Sequence, residues 1–346
     1  MATSGKQQRQ NGRKGLGSEK ASNGVGKIAV LSSGGDAPGM NACIRAIVRT
    51  ALGRGVEVVG FQQGYRGLVN GLEVPLGRRE VGNIIQRGGT VLGTSRCEDF
   101  HTPEGRAIAA GNLQERQIDA LVVLGGDGSF HGAHALASEC GIRVIGIPCT
   151  IDNDLVGTDY TLGFDTAVNI ALDAIDRIRD TAESLERLFF VEVMGHTCGA
   201  IALEVGVAGG ADDVLLPEDP TDIEVLCESL QRGFEHGRRS SIVVVAEGGF
   251  AGGAFGVAQQ VWMRLRTDYR VCVLGHIQRG GSPTARDRVL ASKLGSGAVD
   301  ALLEGHSGCM VGEQSGCVCL TPLEHTLKQR KEVNRSLLEL AHCLTH

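Results

Sequence analysis

LVVLGGDGSFHGA, from Leu121 to Ala133, sets a cluster of glycines directly behind an apolar run and then places a carboxylate, Asp127, inside that cluster. The unbroken apolar residues read as a strand buried on both faces. Glycines that follow such a strand and open a helix offer backbone N–H groups to an anion, and the helix N-terminus adds its partial positive charge. A negative side chain there opposes a bare phosphate. It suits a phosphate that arrives with Mg²⁺, because Asp127 can hold the cation, directly or through its waters, while glycine N–H groups take phosphate oxygens.

The same strand–turn–helix pattern recurs on both sides of this stretch. KIAVLSS (Lys27–Ser33) reads as a buried strand, followed by the turn GGDAPGMN and a helix from Asn41 to Leu52. VEVVGF is a second strand, and further strands are expected at Asp119–Leu124, Val144–Ile147, Phe189–Val193, Asp213–Leu216, Ile242–Ala246 and Tyr269–Leu274. The longest helix, Phe164–Leu185, carries Val168, Leu172, Ile175, Ile178, Ala182 and Leu185 on one stripe. Apolar strands alternating with amphipathic helices predict an α/β fold whose mostly parallel sheets are covered by helices. Ligands of such sheets bind beyond the carboxyl ends of the strands.

Composition narrows the partners. The net charge of −6 over 346 residues gives no general attraction to nucleic acid or membrane surfaces. No apolar run approaches the length that crosses a bilayer. Residues 1–26 are polar and basic, without the apolar core of a secretory signal, and read as a disordered tail. The 11 cysteines follow no CxxC pairing and read as free thiols of a reducing compartment. Cys309, Cys317 and Cys319 gather near His306, but without zinc-finger spacing.

Four strand-end loops carry the unusual residues: SSGGDAPGMN (Ser32–Asn41), GGDGS (Gly125–Ser129), PCTIDND (Pro148–Asp154) and GHIQRGGSP (Gly275–Pro283). GxxxxGK[ST] is absent, which excludes the common P-loop, and His131 breaks a GxGxxG dinucleotide fingerprint. The HRD and DFG signatures of protein kinases are missing as well. Phosphoryl transfer to a hydroxyl needs a base, and Asp152 and Asp154 flank Asn153 in the next loop, so one can reach an acceptor while the other orients it or holds metal. Arg96, Arg187, Arg270 and Arg279 are the cations available to a transferring group or to a phosphate on the acceptor. Taken singly, an aspartate pair or an arginine of this kind is more often solvated surface.

Together, GGDAPGMNACIR, RGGTVLGTSR, GGDGS, TIDND, GTDYTLGFDTA, VEVMG, VVVAEGG and VLGHIQRGGSPTARDR resemble the motifs of the 6-phosphofructokinase family, in that family's order, from Lys27 to about Gly305. The resemblance implies transfer of the γ-phosphoryl group of ATP to the 1-hydroxyl of fructose 6-phosphate. Asp152 would accept the proton, with Thr150, Asp154 and Arg96 around it. Gly35, Arg96, Cys97, Gly126, Asp127, Gly128 and Ser129 would bind nucleotide, with Asp127 at the Mg²⁺ position. Thr150, Asp152, Met194, Gly195, His196, Glu247, His276 and Arg279 would contact the sugar phosphate, and Arg187 and Arg270 would serve the neighbouring subunit's site.

The family resemblance further implies a cytoplasmic homotetramer. It assigns a larger nucleotide domain to residues 27–162 and about 278–328, and a smaller sugar domain to about 163–277 and 329–346. An effector site is implied at Arg45, Arg49, Arg78, Arg179, Asp212 and Arg238, residues that also read as interface salt bridges. Cys149 stands where ATP users carry Gly and pyrophosphate users Lys, and His196 stands where many bacterial members carry Arg. Pyrophosphate users place Asp at the position of Gly128, so the open glycine favours ATP. The rival readings are a pyrophosphate-dependent enzyme of the same reaction and a catalytically silent, ligand-binding regulatory subunit.

Overall fold

The computed structural model describes residues 24–345, residues 186 and 221 apart, so most of the expected tail lies outside the described residues. The chain starts with β1 (Lys27–Ser32), α1 (Met40–Gly53), β2 (Glu57–Phe61), α2 (Gly64–Val69), β3 (Glu73–Pro75) and α3 (Pro103–Glu115). It continues through β4 (Ala120–Gly125), α4 (Asp127–Cys140), β5 (Arg143–Thr150), β6 (Leu162–Gly163), α5 (Phe164–Leu185) and β7 (Leu188–Val193). Then come α6 (Ala200–Ala208), β8 (Asp213–Leu215), α7 (Ile223–Glu235), β9 (Ser241–Ala246), α8 (Gly253–Leu265) and β10 (Tyr269–Val273). The described chain closes with α9 (Ala285–Leu303), β11 (Cys309–Gln314), β12 (Cys317–Pro322), α10 (Leu323–Lys328) and α11 (Arg335–Thr345).

Two sheets result. The larger runs β12-β11-β5-β4-β1-β2-β3, with β6 paired to β5, and is parallel except where β3 and β12 join it antiparallel. The smaller runs β10-β7-β9-β8 and is wholly parallel. Alternate residues of each strand feed opposite faces, as the pleat requires. Ile28, Val30, Val122 and Leu124 pack with α1 and α9, whereas Ala29, Leu31, Leu121 and Val123 pack with α3 and α4. In the smaller sheet, Val191, Val193 and Val244 belong to the same core as α5 and α9, and Phe190, Val243 and Val245 face α7 and α8. One apolar core therefore joins the two sheets through α5 and α9.

Polar contacts lock those two helices at their starts. Thr284 caps α9, accepting from the Asp287 N–H at 3.3 Å, in the manner of a capping box. The Asp287 carboxylate does not turn back on its own helix. It accepts from Gly163 N at 3.0 Å and Thr166 N at 2.9 Å, capping α5 instead, while Thr166 Oγ1 accepts from Thr284 N at 3.1 Å. Each helix thus supplies a partner for the other's orphan N–H groups.

The expected strands and the two expected helices are present with ends shifted by a residue or a few; β5 extends through Thr150. On α5, Val168, Ile175 and Ala182 are buried, with Leu172 and Ile178 packed beside them. All 11 cysteines are free; Cys43, Cys149, Cys198, Cys227 and Cys309 are buried, and Cys140 and Cys272 partly so. The β11–β12 hairpin lay outside the expected strands. It sets Cys309 opposite Pro322 and Cys317 opposite Gln314, which puts the first and second of these cysteines at opposite ends of the ladder.

Candidate active site

The carboxyl ends of both sheets face one cleft of ≈ 1120 Å³. β1 delivers Ser33, Gly34 and Gly35; β4 delivers Gly126, Asp127, Gly128 and Ser129; β5 delivers Cys149, Thr150, Asp152 and Asp154. His196 comes from beyond β7 and His276 and Arg279 from beyond β10, while Arg96 and Cys97 come from the loop ahead of α3. Thirteen of the expected site residues converge here from segments that are far apart in sequence.

On one wall, Asp127 is the first residue of α4 and its carboxylate is half exposed. His131 Nε2 stands 3.8 Å from it, one helical turn on. A Cβ at Gly128 would meet nothing within 4 Å, so this backbone opens onto the cleft. Gly125 has no such freedom, since a side chain there would collide with Ser129 and the Ser33 carbonyl. The glycines of this loop therefore serve two ends: close packing at Gly125 and approach of a ligand at Gly128.

Thr150, Asp152 and Asp154 form the opposite wall. Thr150 Oγ1 accepts from Asp152 N at 3.2 Å and lies 3.4 Å from Asp152 Oδ2. Asp152 Oδ1 and Asp154 Oδ1 are buried without a hydrogen-bond partner. Burial pushes the Asp152 carboxyl above its ordinary value, and Arg279, Thr150 and His196 pull it back. Burial, then the charge of Asp152, push Asp154 up to about 6. Two partly buried carboxylates, each with one buried and orphaned oxygen, are costly unless a cation or a substrate hydroxyl completes them. Cys149, 1% exposed, has its thiol pushed well up by burial and is neutral.

Arg279 reaches this wall because Gly35 has no side chain: a Cβ at 35 would overlap the guanidinium, whose Nη1 donates to Asp36 O at 3.4 Å. Gly35, expected as a nucleotide contact, thus also makes room for a cation next to the carboxylates. Among the described residues no group of three or more His, Cys, Asp or Glu is arranged to hold a metal by itself.

Met194, Gly195 and Glu247 do not line the cleft. Met194 and Gly195 precede His196 in the segment that reaches the cleft, and Glu247 bonds that segment. Met194 N donates to Gln278 Oε1 at 2.8 Å, and His196 N, on a residue with φ 56°, donates to Glu247 Oε1 at 3.2 Å. Gly195 takes φ 150°, and a side chain there would strike the Cys198 carbonyl. Arg187 and Arg270 are placed elsewhere. Both stand at the amino ends of β7 and β10, the opposite end of the sheet from the cleft, and Arg270 Nη1 donates to Tyr269 O at 2.7 Å.

Of the expected effector residues, Asp212 and Arg238 pair at 2.8 Å beside a small pocket, and Arg179 donates to the Gly209 and Gly210 carbonyls nearby. Arg45 and Arg49 lie on α1 and Arg78 follows β3, with Arg49 and Arg78 exposed.

Three features of the site escaped sequence reading. Tyr65 and Phe100 stack at 4.0 Å with an interplanar angle of 16° on the cleft wall, and Tyr65 OH donates to Ser129 O at 2.6 Å. Gly132 is bare because a Cβ would press on both rings at 3.0 Å. Arg106 braces the same wall by donating to Glu139 and to the Phe100 and His101 carbonyls. Gln278, fully buried, has an unpartnered Nε2. The aromatic pair, buried apart from the edge that reaches the cleft, closes this wall with apolar surface beside the Gly125–Ser129 loop.

The phosphofructokinase family model matches residues 27–302. ATP-dependent 6-phosphofructokinase 1 of Thermus thermophilus is 58% identical over 318 residues, covering 92% of this chain and 99% of that one. ATP-dependent 6-phosphofructokinase 2 of Bacteroides thetaiotaomicron is 50% identical over 314 residues, covering 90% and 96%. Among solved structures, phosphofructokinase from Saccharomyces cerevisiae superposes with a TM-score of 0.83 at 36% identity, covering 92% of this chain and 46% of that one. The chain thus spans about half the length of the yeast chain and nearly all of its bacterial relatives. With the cleft assembled from that family's motifs and matches over most of its length, the chain belongs to the phosphofructokinase family.

Proposed function

We infer that the chain is an ATP-dependent 6-phosphofructokinase, transferring the γ-phosphoryl group of ATP to the 1-hydroxyl of fructose 6-phosphate to give fructose 1,6-bisphosphate and ADP. The observation that carries this reading is the facing of the Gly126–Ser129 loop and the Thr150–Asp154 loop across one cleft. The relatives' names favour ATP over pyrophosphate as donor, and so do the open space at Gly128 and the neutral thiol at Cys149.

In this reading the polyphosphate lies on the N-terminus of α4, and the nucleoside rests toward the Tyr65–Phe100 stack. Asp152 accepts the acceptor proton: its pKa, raised by burial, makes it a better base than an exposed aspartate, and Thr150 holds its orientation. Arg279 and Arg96 supply positive charge to the transferring group. The His196 segment, held by Glu247, and the Met194 segment, held by Gln278, position the sugar.

The residues present fit Mg²⁺. Asp127 is exposed to the cleft and Asp154 lines the same space, which suits a cation that enters with phosphate and keeps most of its waters. When bound, it would neutralise charge on the phosphates.

The reading extends to a homo-oligomer with shared sites, supported by Arg187 and Arg270, cations that the cleft of their own chain does not use. It also extends to an effector site that draws on Arg179, Asp212 and Arg238 together with Arg45, Arg49 and Arg78. A cytoplasmic location agrees with 11 free cysteines, and no helix among the described residues is long and apolar enough to cross a membrane. A silent regulatory subunit is disfavoured because Asp127, Thr150, Asp152, Asp154 and Arg279 all face the cleft. A coupled assay for fructose 1,6-bisphosphate, run once with each phosphoryl donor, tests the reading.

A further inference from the structure

The Asp152 and Asp154 carboxylates sit on the loop between β5 and β6, and most of what fastens that loop comes from beyond residue 302, where the family match ends. Asp159 N donates to Glu313 O at 2.7 Å, Glu313 N to Thr158 Oγ1 at 3.1 Å, and Ser315 N to Asp159 Oδ2 at 2.6 Å. Arg330 bridges Leu155 antiparallel, and Lys331 N donates to Asp154 O at 3.3 Å. The Lys331 side chain then turns under the loop. Its Nζ donates to Asn153 Oδ1 at 3.0 Å, Thr158 O at 2.9 Å and Asp159 O at 2.6 Å. An ammonium has three protons, and all three are used.

Asn153 is the residue between the two carboxylates. It is 8% exposed and adopts φ 52°, a left-handed conformation that a non-glycine residue holds only when its surroundings impose it. Its Oδ1 also accepts from Thr161 N at 3.0 Å, and its Nδ2 donates to Asp159 O at 3.3 Å. Turning Asn153 back to a right-handed conformation would rotate Asp152 relative to Asp154. Lys331 is absent from the cleft and lines a separate cavity of ≈ 330 Å³ behind the loop, with Tyr160, Cys198 and Glu204.

We propose that Lys331 is a positioning residue for phosphoryl transfer: by holding the Asn153 amide and the Thr158 and Asp159 carbonyls, it fixes the directions in which Asp152 and Asp154 enter the cleft. The proposal rests on the phosphotransferase reading above. Misplacing a reacting group by about 1 Å costs on the order of 10²-fold in rate, so the loop's support acts on turnover more than on substrate binding.

Lys331→Met removes the three donors while keeping most of the side-chain volume, and Lys331→Gln keeps an uncharged donor. Both are assayed beside the wild-type chain, with turnover expressed per folded chain from thermal melts. Lys331→Met is expected to lower kcat about 10–100-fold, with KM for ATP and fructose 6-phosphate changed less than about 3-fold, and Lys331→Gln to recover part of the loss. A lowered Tm with wild-type kcat per folded chain overturns the proposal and leaves Lys331 a plain structural anchor. Should Lys331→Met not fold, the same kcat-against-KM split in Lys331→Gln decides between these outcomes. A wild-type chain that forms no fructose 1,6-bisphosphate overturns the phosphotransferase reading, and this proposal with it; active wild type with unaffected variants overturns this proposal alone.

Discussion

Thr150 and Asp152 are tied twice, through the Asp152 N–H to Thr150 Oγ1 at 3.2 Å and between Thr150 Oγ1 and Asp152 Oδ2 at 3.4 Å. These contacts fix the carboxyl against Thr150, and Oδ1 is buried and has no hydrogen-bond partner of its own. Asp152→Asn keeps the shape and loses the basicity. Turnover should fall about 10²–10⁴-fold with little change in KM for fructose 6-phosphate. Steady-state kinetics check it, and near-normal turnover would remove Asp152 from the role of base.

Asp154 shows what the site costs in stability. Its pKa of about 6 against the ordinary 3.8 means that the folded chain binds a proton more tightly than the unfolded one between those values. Stability from this group therefore declines as pH rises through that window, and the charged carboxylate costs about 3 kcal/mol at pH 7. Asp154→Asn should raise the melting temperature of the metal-free protein at pH 7, by an amount that shrinks at pH 5, and should impair activity. A variant that melts lower at pH 7 than the wild type contradicts the assignment.

Arg187 and Arg270 stand at the far end of their sheet from the cleft, which bears on subunit sharing. Symmetric pairing places the same residues in both sites of a dimer. Inactive Asp152→Asn chains refolded together with inactive Arg187→Ala chains should regain part of the activity, because some sites then draw both intact residues. Mixed oligomers that stay inactive would argue that each chain's site is self-contained.

Much of this was legible in sequence, for reasons that individual residues make plain. Parallel strands buried on both faces, such as Ala120–Gly125, leave unbroken apolar runs, and their carboxyl ends had to converge. The edge strand Cys317–Pro322, with no fully buried residue, leaves no such trace. Tyr65 and Phe100 are separated by a glycine-rich stretch, and only folding stacks them. Gln278 lay inside a motif selected for its charges, yet its neutral amide is what holds Met194. Lys331 lies beyond every motif and becomes visible only through the three oxygens it binds.

The space at Gly128 decides the phosphoryl donor. At Gly128 an added Cβ would meet no protein atom within 4 Å, so Gly128→Asp should fold and melt much as the wild type does. Its carboxylate would instead project beside Asp127 into the space of the phosphates and abolish turnover with ATP. The most direct measurement is fructose 1,6-bisphosphate formation by the unmodified chain from fructose 6-phosphate, with ATP–Mg²⁺ or with pyrophosphate–Mg²⁺ as donor. The structure predicts turnover with ATP and little or none with pyrophosphate; efficient turnover with pyrophosphate, or none with ATP, would contradict it.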